Sequence, residues 1–284
     1  MTPSAEVGSP VPRALCIVPA RLGSTRLPRK MLLDETGLPL VAHTALNASA
    51  SGAFARVVVA YDDPALAQAL AGLGIEAVRT RSDHQSGTDR ALEAFEQLAE
   101  AGGPPYELVV NVQGDEPEMA GEDLRALVAR LADPEVEFAT LWAPIESEAE
   151  LADPSVVKVV ADLSERALYF SRSPLPHARD GWPAETFPEP PPPGAPTSGS
   201  AERSAAMLPR RHIGVYALRP DALLRFCRLR PGHLEAVESL EQLRWLEAGL
   251  PLHLVRATRL TQGIDTRSDY EAFVARVRSA QRNE

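Results

Sequence analysis

Four cations, Arg21, Arg26, Arg29 and Lys30, crowd into one early loop, Val18-Pro19-Ala20-Arg21-Leu22-Gly23-Ser24-Thr25-Arg26-Leu27-Pro28-Arg29-Lys30, behind a short apolar run. Strand, glycine-containing loop and cations are a recurring way to hold a triphosphate, with backbone N–H groups and Lys/Arg side chains neutralising it together. The pattern is not Gly-x-x-x-x-Gly-Lys-Ser/Thr, so ordinary ATPase or GTPase chemistry is not expected. A solvated basic turn is the plain alternative. Ser86-Gly87-Thr88-Asp89 has the spacing of a capping box, and the helix it opens offers free amides to an anion or to the polar edge of a base. Equally, it is a cap and nothing more. His84, just upstream, reads as a structural hydrogen-bond partner.

A third stretch, Asn111-Val-Gln-Gly-Asp-Glu-Pro117, puts the Asp115 carboxylate just past an apolar run and beside a glycine. That suits a Mg²⁺ ion that keeps most of its waters and bridges to phosphates. Gln113 adds an amide that both donates and accepts, as reading a base or ribose requires. A second carboxylate is needed to hold such an ion, and Asp265 in Gly263-Ile-Asp-Thr266 is the distant candidate, with a helix N-cap as its alternative. The remaining polar groups cluster in Ser171-Arg172, Arg211-His212-Ile-Gly-Val-Tyr216 and Leu240-Glu241-Gln242. An acidic sugar needs a guanidinium for its carboxylate and bifunctional groups for its hydroxyls. Taken singly, Tyr216 reads as half-buried core and Glu241 as solvated helix surface.

The elements that must position these residues alternate. Strands are expected at 14–18, 56–61, 75–79 and 108–112, and helices at 38–52, 64–73 and around Leu92, Phe95 and Leu98. That alternation means a parallel, doubly wound sheet, in which ligands collect beyond the carboxyl ends of the strands. The basic loop, 81–88 and 113–117 all leave those ends, so they share one crevice. Past residue 135, strands at 137–144, 156–161, 167–171 and 212–218 lack long intervening helices, so antiparallel additions are expected. The apolar stripe Val237, Leu240, Leu243 and Leu246 predicts one helix over 234–249. Residues 1–13 read as a flexible leader, and the Pro-rich 183–209 as an extended insertion.

Among 284 residues, 44% are apolar and 24% charged, ordinary for a globular protein with ample core. A net charge of -10 argues against nucleic acid or an anionic membrane, so any bound phosphate must be small and locally neutralised. Cys16 and Cys227 lack metal-ligand spacing and suit a reducing compartment. No apolar run approaches the roughly 18 residues of a spanning helix, and the N-terminus has no signal core; a cytoplasmic protein is expected.

In order along the chain, Val18–Pro28, Thr80–Thr88, Asn111–Pro117, Val157-Lys-Val-Val160, Ala167–Arg172, Arg211–Tyr216 and Leu240–Arg244 make the sequence resemble the 3-deoxy-manno-octulosonate (KDO) cytidylyltransferases, or CMP-KDO synthetases, from about residue 14 to the C-terminus. The resemblance implies an α/β three-layer sandwich with a mostly parallel mixed sheet, of nucleotide-diphospho-sugar transferase type. It implies one domain over 14–284, with a CTP-binding half at about 14–135 and a sugar-binding and dimerisation half at about 136–284. The implied reaction joins CTP to KDO for lipopolysaccharide assembly, in a Mg²⁺-dependent, cytoplasmic homodimer. By motif, Ala20, Arg21, Ser24, Thr25 and Lys30 surround the CTP phosphates, and Arg81, Ser86, Gly87 and Gln113 the cytidine. Asp115 and Asp265 hold Mg²⁺, and Arg172, His212, Tyr216, Glu241 and Gln242 meet the sugar. Arg21, Lys30, Asp115 and Asp265 are the expected catalytic set. Rival readings are a cytidylyltransferase for 8-amino-KDO or sialic acid, a non-catalytic nucleotide-binding homologue, and a glycosyltransferase of similar topology. Arg29 stands where the family commonly has glycine, so a left-handed backbone there would be strained.

Overall fold

The computed structural model describes residues 12–24, 26–183, 186–187, 209–261 and 263–282. Thr25, residues 1–11 of the expected leader and most of the 183–209 insertion lie outside the described residues.

Strand β1 (Ala14–Ala20) is buried along its whole length and explains the unbroken apolar run that opens the fold. It pairs in parallel with β2 (Arg56–Tyr61) on one side and β4 (Leu108–Asn111) on the other, and β2 continues to β3 (Glu76–Arg79). A strand covered on both faces has no solvated side, so alternation vanishes. Cys16 and Val18 point to the layer holding α1 (Leu40–Ala50), α2 (Pro64–Leu70) and α4 (Gly121–Arg130). Leu15 and Ile17 point to the opposite layer, with α3 (Gly87–Glu100), α6 (Pro220–Arg228) and α8 (Leu243–Glu247). The result is the expected three-layer sandwich.

The sheet runs β3-β2-β1-β4-β8-β5-β9. β8 (Arg210–Leu218) lies antiparallel between β4 and β5 (Phe138–Pro144), while β6 (Lys158–Ala161) and β7 (Ala167–Ser171) form an antiparallel annex on β8. The antiparallel additions expected past residue 135 are present. β9 (His253–Arg256), parallel to β5, was not expected; nor were α4, α5 (Glu148–Ala152) and α6. α9 (Arg267–Gln281) closes the chain, and its N-cap is Thr266, not Asp265. Among the described residues no helix is long and apolar enough to cross a membrane.

The expected helix over 234–249 is two: α7 (His233–Glu238) and α8, broken at Ser239, whose φ is 53°. The stripe fails because Val237 is exposed while Leu240, Leu243 and Trp245 are buried, so the apolar face switches at the break. The break turns Glu241 and Gln242 inward.

Arg29 adopts the left-handed conformation, φ 56° and ψ 27°, ahead of the short 3₁₀ turn Lys30–Leu32. A side chain there costs about 1–2 kcal/mol, against which glycine loses about 0.5–1 kcal/mol in backbone entropy. Arg29→Gly is therefore expected to stabilise the fold by about 0.5–1 kcal/mol, a rise of roughly 1–3 °C in thermal midpoint. An unchanged or lower midpoint by calorimetry would remove the strain argument.

Candidate active site

Two clefts meet at the carboxyl ends of β1 and β4. The first, about 400 Å³, is walled by the basic loop, the start of α3 and the Gln113–Asp115 loop. Ala20, Arg21, Ser24, Lys30, Ser86, Gly87, Gln113, Asp115 and Asp265 all line it, so the sequence-derived crevice exists. Ser86 caps α3 by accepting from Asp89 N at 3.1 Å, which is half of the expected capping box; the Asp89 carboxylate accepts from the Ser86 hydroxyl at 3.0 Å instead of from its backbone N–H. Gly114 is needed for closeness: a Cβ there would lie 3.0 Å from both Pro19 O and Met31 Sδ.

The second cleft, about 830 Å³, contains Arg172, His212, Tyr216, Glu241 and Gln242. It shares Arg26, Ser86, Gly87, Gln113 and Asp265 with the first, so the two are one continuous crevice. Arg81 stands apart. Its largely exposed side chain pairs with Asp83 at 3.3 Å and lies in a neighbouring hollow beside Glu93 and Cys227.

Lys30 ties the acids together. The Asp115 backbone carbonyl accepts from Ile264 N at 2.9 Å, which draws the two distant acidic segments side by side. The buried Lys30 ammonium then donates to Asp115 Oδ2 at 2.5 Å, Asp265 Oδ1 at 3.0 Å and Ile264 O at 3.0 Å. Burial pulls the pKa of Lys30 down, but Asp115 and Asp265 together more than offset it, so the net shift is upward and the cation is retained. Arg26 pairs with Asp265 Oδ2 at 3.1 Å.

Next to Asp115, Glu116 is half-buried, its Oε2 shielded from solvent and without a partner among the described residues. Burial first, then the Asp115 charge, pushes its pKa up to about 8. Its Oε1 lies 2.7 Å from where a Cβ on Gly263 would be, so a side chain there would push the carboxyl group aside.

Around the second cleft, Glu241 accepts from Thr88 Oγ1 at 2.8 Å, and Thr88 in turn receives Asn111 Nδ2 at 3.3 Å. Burial raises the Glu241 pKa, with the Thr88 and Ser86 hydroxyls pulling the other way. Glu241 is thus a shielded group of the cleft, not helix surface. Tyr216 donates to Gln242 Oε1 at 3.2 Å, and Gln242 Nε2 has no partner among the described residues. Arg172 spends its guanidinium on backbone, with Nε to Glu238 O at 2.9 Å and Nη1 to Pro154 O at 3.1 Å. Lys158, fully buried, secures the same wall by donating to Asp153 O and Val156 O.

Sequence reasoning missed Arg90, Glu116 and Arg211. Arg90 lines the first cleft, buried, with Nη1 on Thr80 Oγ1 at 2.6 Å and Nη2 on Asp62 at 3.3 Å. Arg211 lines the second and pairs with Glu150 at 2.9 Å, and its Nε has no partner among the described residues. Each sits within or beside a quoted motif, and that adjacency was the available signal.

A cytidylyltransferase family model matches residues 15–256. The chain belongs to the cytidylyltransferase family. This cytidylyltransferase is 42% identical over 263 residues to a 3-deoxy-manno-octulosonate cytidylyltransferase of Syntrophobacter fumaroxidans, covering 92% of this chain and 96% of that one. A protein of the same name from Methylococcus capsulatus is 45% identical over 257 residues, covering 90% and 93%. The solved structure of a CMP:2-keto-3-deoxy-manno-octonic acid synthetase complexed with CTP superposes with a TM-score of 0.79 at 36% identity, covering 94% of this chain and 99% of that one. A Leptospira borgpetersenii cytidylyltransferase, TM-score 0.55 at 16% identity, shares the fold. The family named from the motifs is the one these relatives carry.

Proposed function

We propose that this cytidylyltransferase transfers CMP from CTP to KDO, releasing pyrophosphate, in a cytoplasmic homodimer that supplies lipopolysaccharide assembly. The observation that carries the reading is the continuity of the two clefts. A cation-lined pocket opens into a pocket of buried amide, hydroxyl, imidazole and carboxyl groups, with Gln113 and Asp265 on the shared wall.

The anomeric hydroxyl of KDO attacks the α-phosphorus of CTP. A new O–P bond forms, the bond to the β-phosphate oxygen breaks, and the hydroxyl proton passes to water. Arg21, Arg26 and Lys30 neutralise charge as pyrophosphate departs, and the walls align the two reactants. Asp115 and Asp265 are the residues that would hold Mg²⁺. Their fit rests on two carboxylates converging on a single cation, here the Lys30 ammonium. Among the described residues no three His, Cys, Asp or Glu side chains form a ready metal cage. Magnesium asks for less, since it binds through one or two carboxylates and substrate phosphates. When bound, the ion screens phosphate charge and acidifies the attacking hydroxyl.

The test is pyrophosphate release from CTP. Release is expected to require both KDO and Mg²⁺, to stop on chelation, and to fall sharply with 8-amino-KDO or sialic acid. Release without KDO, or faster turnover of another acid sugar, would replace this reading.

A further inference from the structure

The sugar-side cleft contains a hydrogen-bond chain that decides which nitrogen of His212 carries a proton. β5 and β8 shift register between Thr140 and Leu141, and the bulge turns two carbonyls onto the buried Thr140 hydroxyl. Oγ1 lies 2.8 Å from Val215 O and 3.2 Å from Ile213 O. Carbonyls only accept, and two oxygens at 2.8 Å repel unless a proton lies between them, so the single hydroxyl proton is committed to these carbonyls. The same Oγ1 is 2.9 Å from His212 Nε2. With its proton spoken for, Thr140 can only accept from the ring, so Nε2 carries a hydrogen and Nδ1 keeps its lone pair.

Nδ1 takes no hydrogen bond from the described residues and is not sealed from the cleft that His212 lines. Two rings fix the plane of the imidazole: Phe170 meets it edge-on at 4.8 Å and Tyr216 stacks on it at 5.7 Å between centroids. Burial also pushes the ring's pKa down to about 3, so the neutral form meets the substrate.

We propose that Thr140 is a positioning residue for the sugar: by fixing His212 as its Nε2–H tautomer, it presents a hydrogen-bond acceptor to the cleft. At that point the cleft selects a sugar hydroxyl that donates and turns away the sugar's carboxylate, which must lie elsewhere. The inference deepens the KDO reading and rests on it for the identity of the ligand, while the tautomer itself does not.

The experiment uses the full chain labelled with ¹⁵N-histidine, and compares wild type, Thr140→Val and Thr140→Ser. In wild type, long-range ¹H–¹⁵N correlation is expected to place His212 Nδ1 at the unprotonated end of the nitrogen range and Nε2 at the protonated end. Thr140→Val removes the acceptor, so this signature is lost and KM for KDO rises about tenfold, with kcat and KM for CTP little changed. Thr140→Ser restores both. A wild-type spectrum with hydrogen on Nδ1, or a Val variant keeping signature and KM, overturns the proposal. Should the Val variant not fold, the wild-type and Ser spectra still decide the tautomer. A wild-type protein with the expected spectrum but no turnover of KDO would instead reject the substrate reading.

Discussion

Asp115→Asn is expected to lower turnover by on the order of 10²–10³-fold, the scale on which one charge-stabilising group contributes to a transition state. The carboxylate has two jobs that depend on its negative charge, which an amide lacks. It supplies negative charge to any cation between β4 and the Asp265 turn, and it holds the Lys30 ammonium at 2.5 Å. Asp115 is also the more shielded of the two acids, 24% exposed at the side chain against 42% for Asp265, so water replaces it less well. Asp265→Asn is accordingly expected to show a smaller loss. The fold should survive, because Lys30 keeps Ile264 O and Asp265, and the Asp115 backbone carbonyl still accepts from Ile264. Steady-state kinetics with CTP and KDO, beside a thermal melt within about 2–3 °C of wild type, checks both halves. A near-normal kcat would end the assignment of Asp115 to the chemistry.

Legibility divides along a physical line. The parallel half was readable because β1, β2 and β4 are covered on both faces, and a chain covered on both faces writes continuous β-branched runs bounded by glycine and polar turns. Once those strands were placed, the crevice followed from topology, and Ala20, Ser86, Gly87, Gln113 and Asp115 fell on its rim. What failed was whatever depends on contacts far apart in sequence. Nothing local says that Ser239 takes φ 53° and breaks a helix, yet that break is what buries Glu241 against Thr88. Nothing local separates Arg81 from Arg90. Both are cations flanking the α3 cap, but Asp62, contributed by the end of β2, holds Arg90 inside while Arg81 swings out to Asp83. β9 was missed for the same reason, since its four residues become a strand only by pairing with β5. The strain at Arg29 needed the family pattern as well as the sequence.

Glu116→Gln is expected to make the metal-free protein more stable above pH 8 and to leave it nearly unchanged near pH 4.5. Burial, and then repulsion from Asp115, lifts the Glu116 pKa from 4.5 to about 8, with Arg211 only partly compensating. Between those two values the native protein binds a proton that the unfolded chain has released, so native stability falls as pH rises through that window. Below 4.5 both states are protonated and the penalty is absent. At about 1.4 kcal/mol per pKa unit the full shift sets a ceiling, and a gain on the order of 2–4 kcal/mol at pH 8.5 is expected for the glutamine variant. Glutamine is neutral and nearly isosteric, so it mimics the protonated acid that burial beside Asp115 favours. Chemical denaturation in chelator at pH 5 and pH 8.5 is the measurement. Parallel pH profiles for the two proteins would mean that Glu116 is ionised in the fold and relieved by a partner. Added Mg²⁺ should narrow the gap at pH 8.5, because a cation beside Asp115 stabilises the ionised glutamate that only the wild type has. A gap that magnesium leaves unchanged would place the ion away from Asp115 and Glu116.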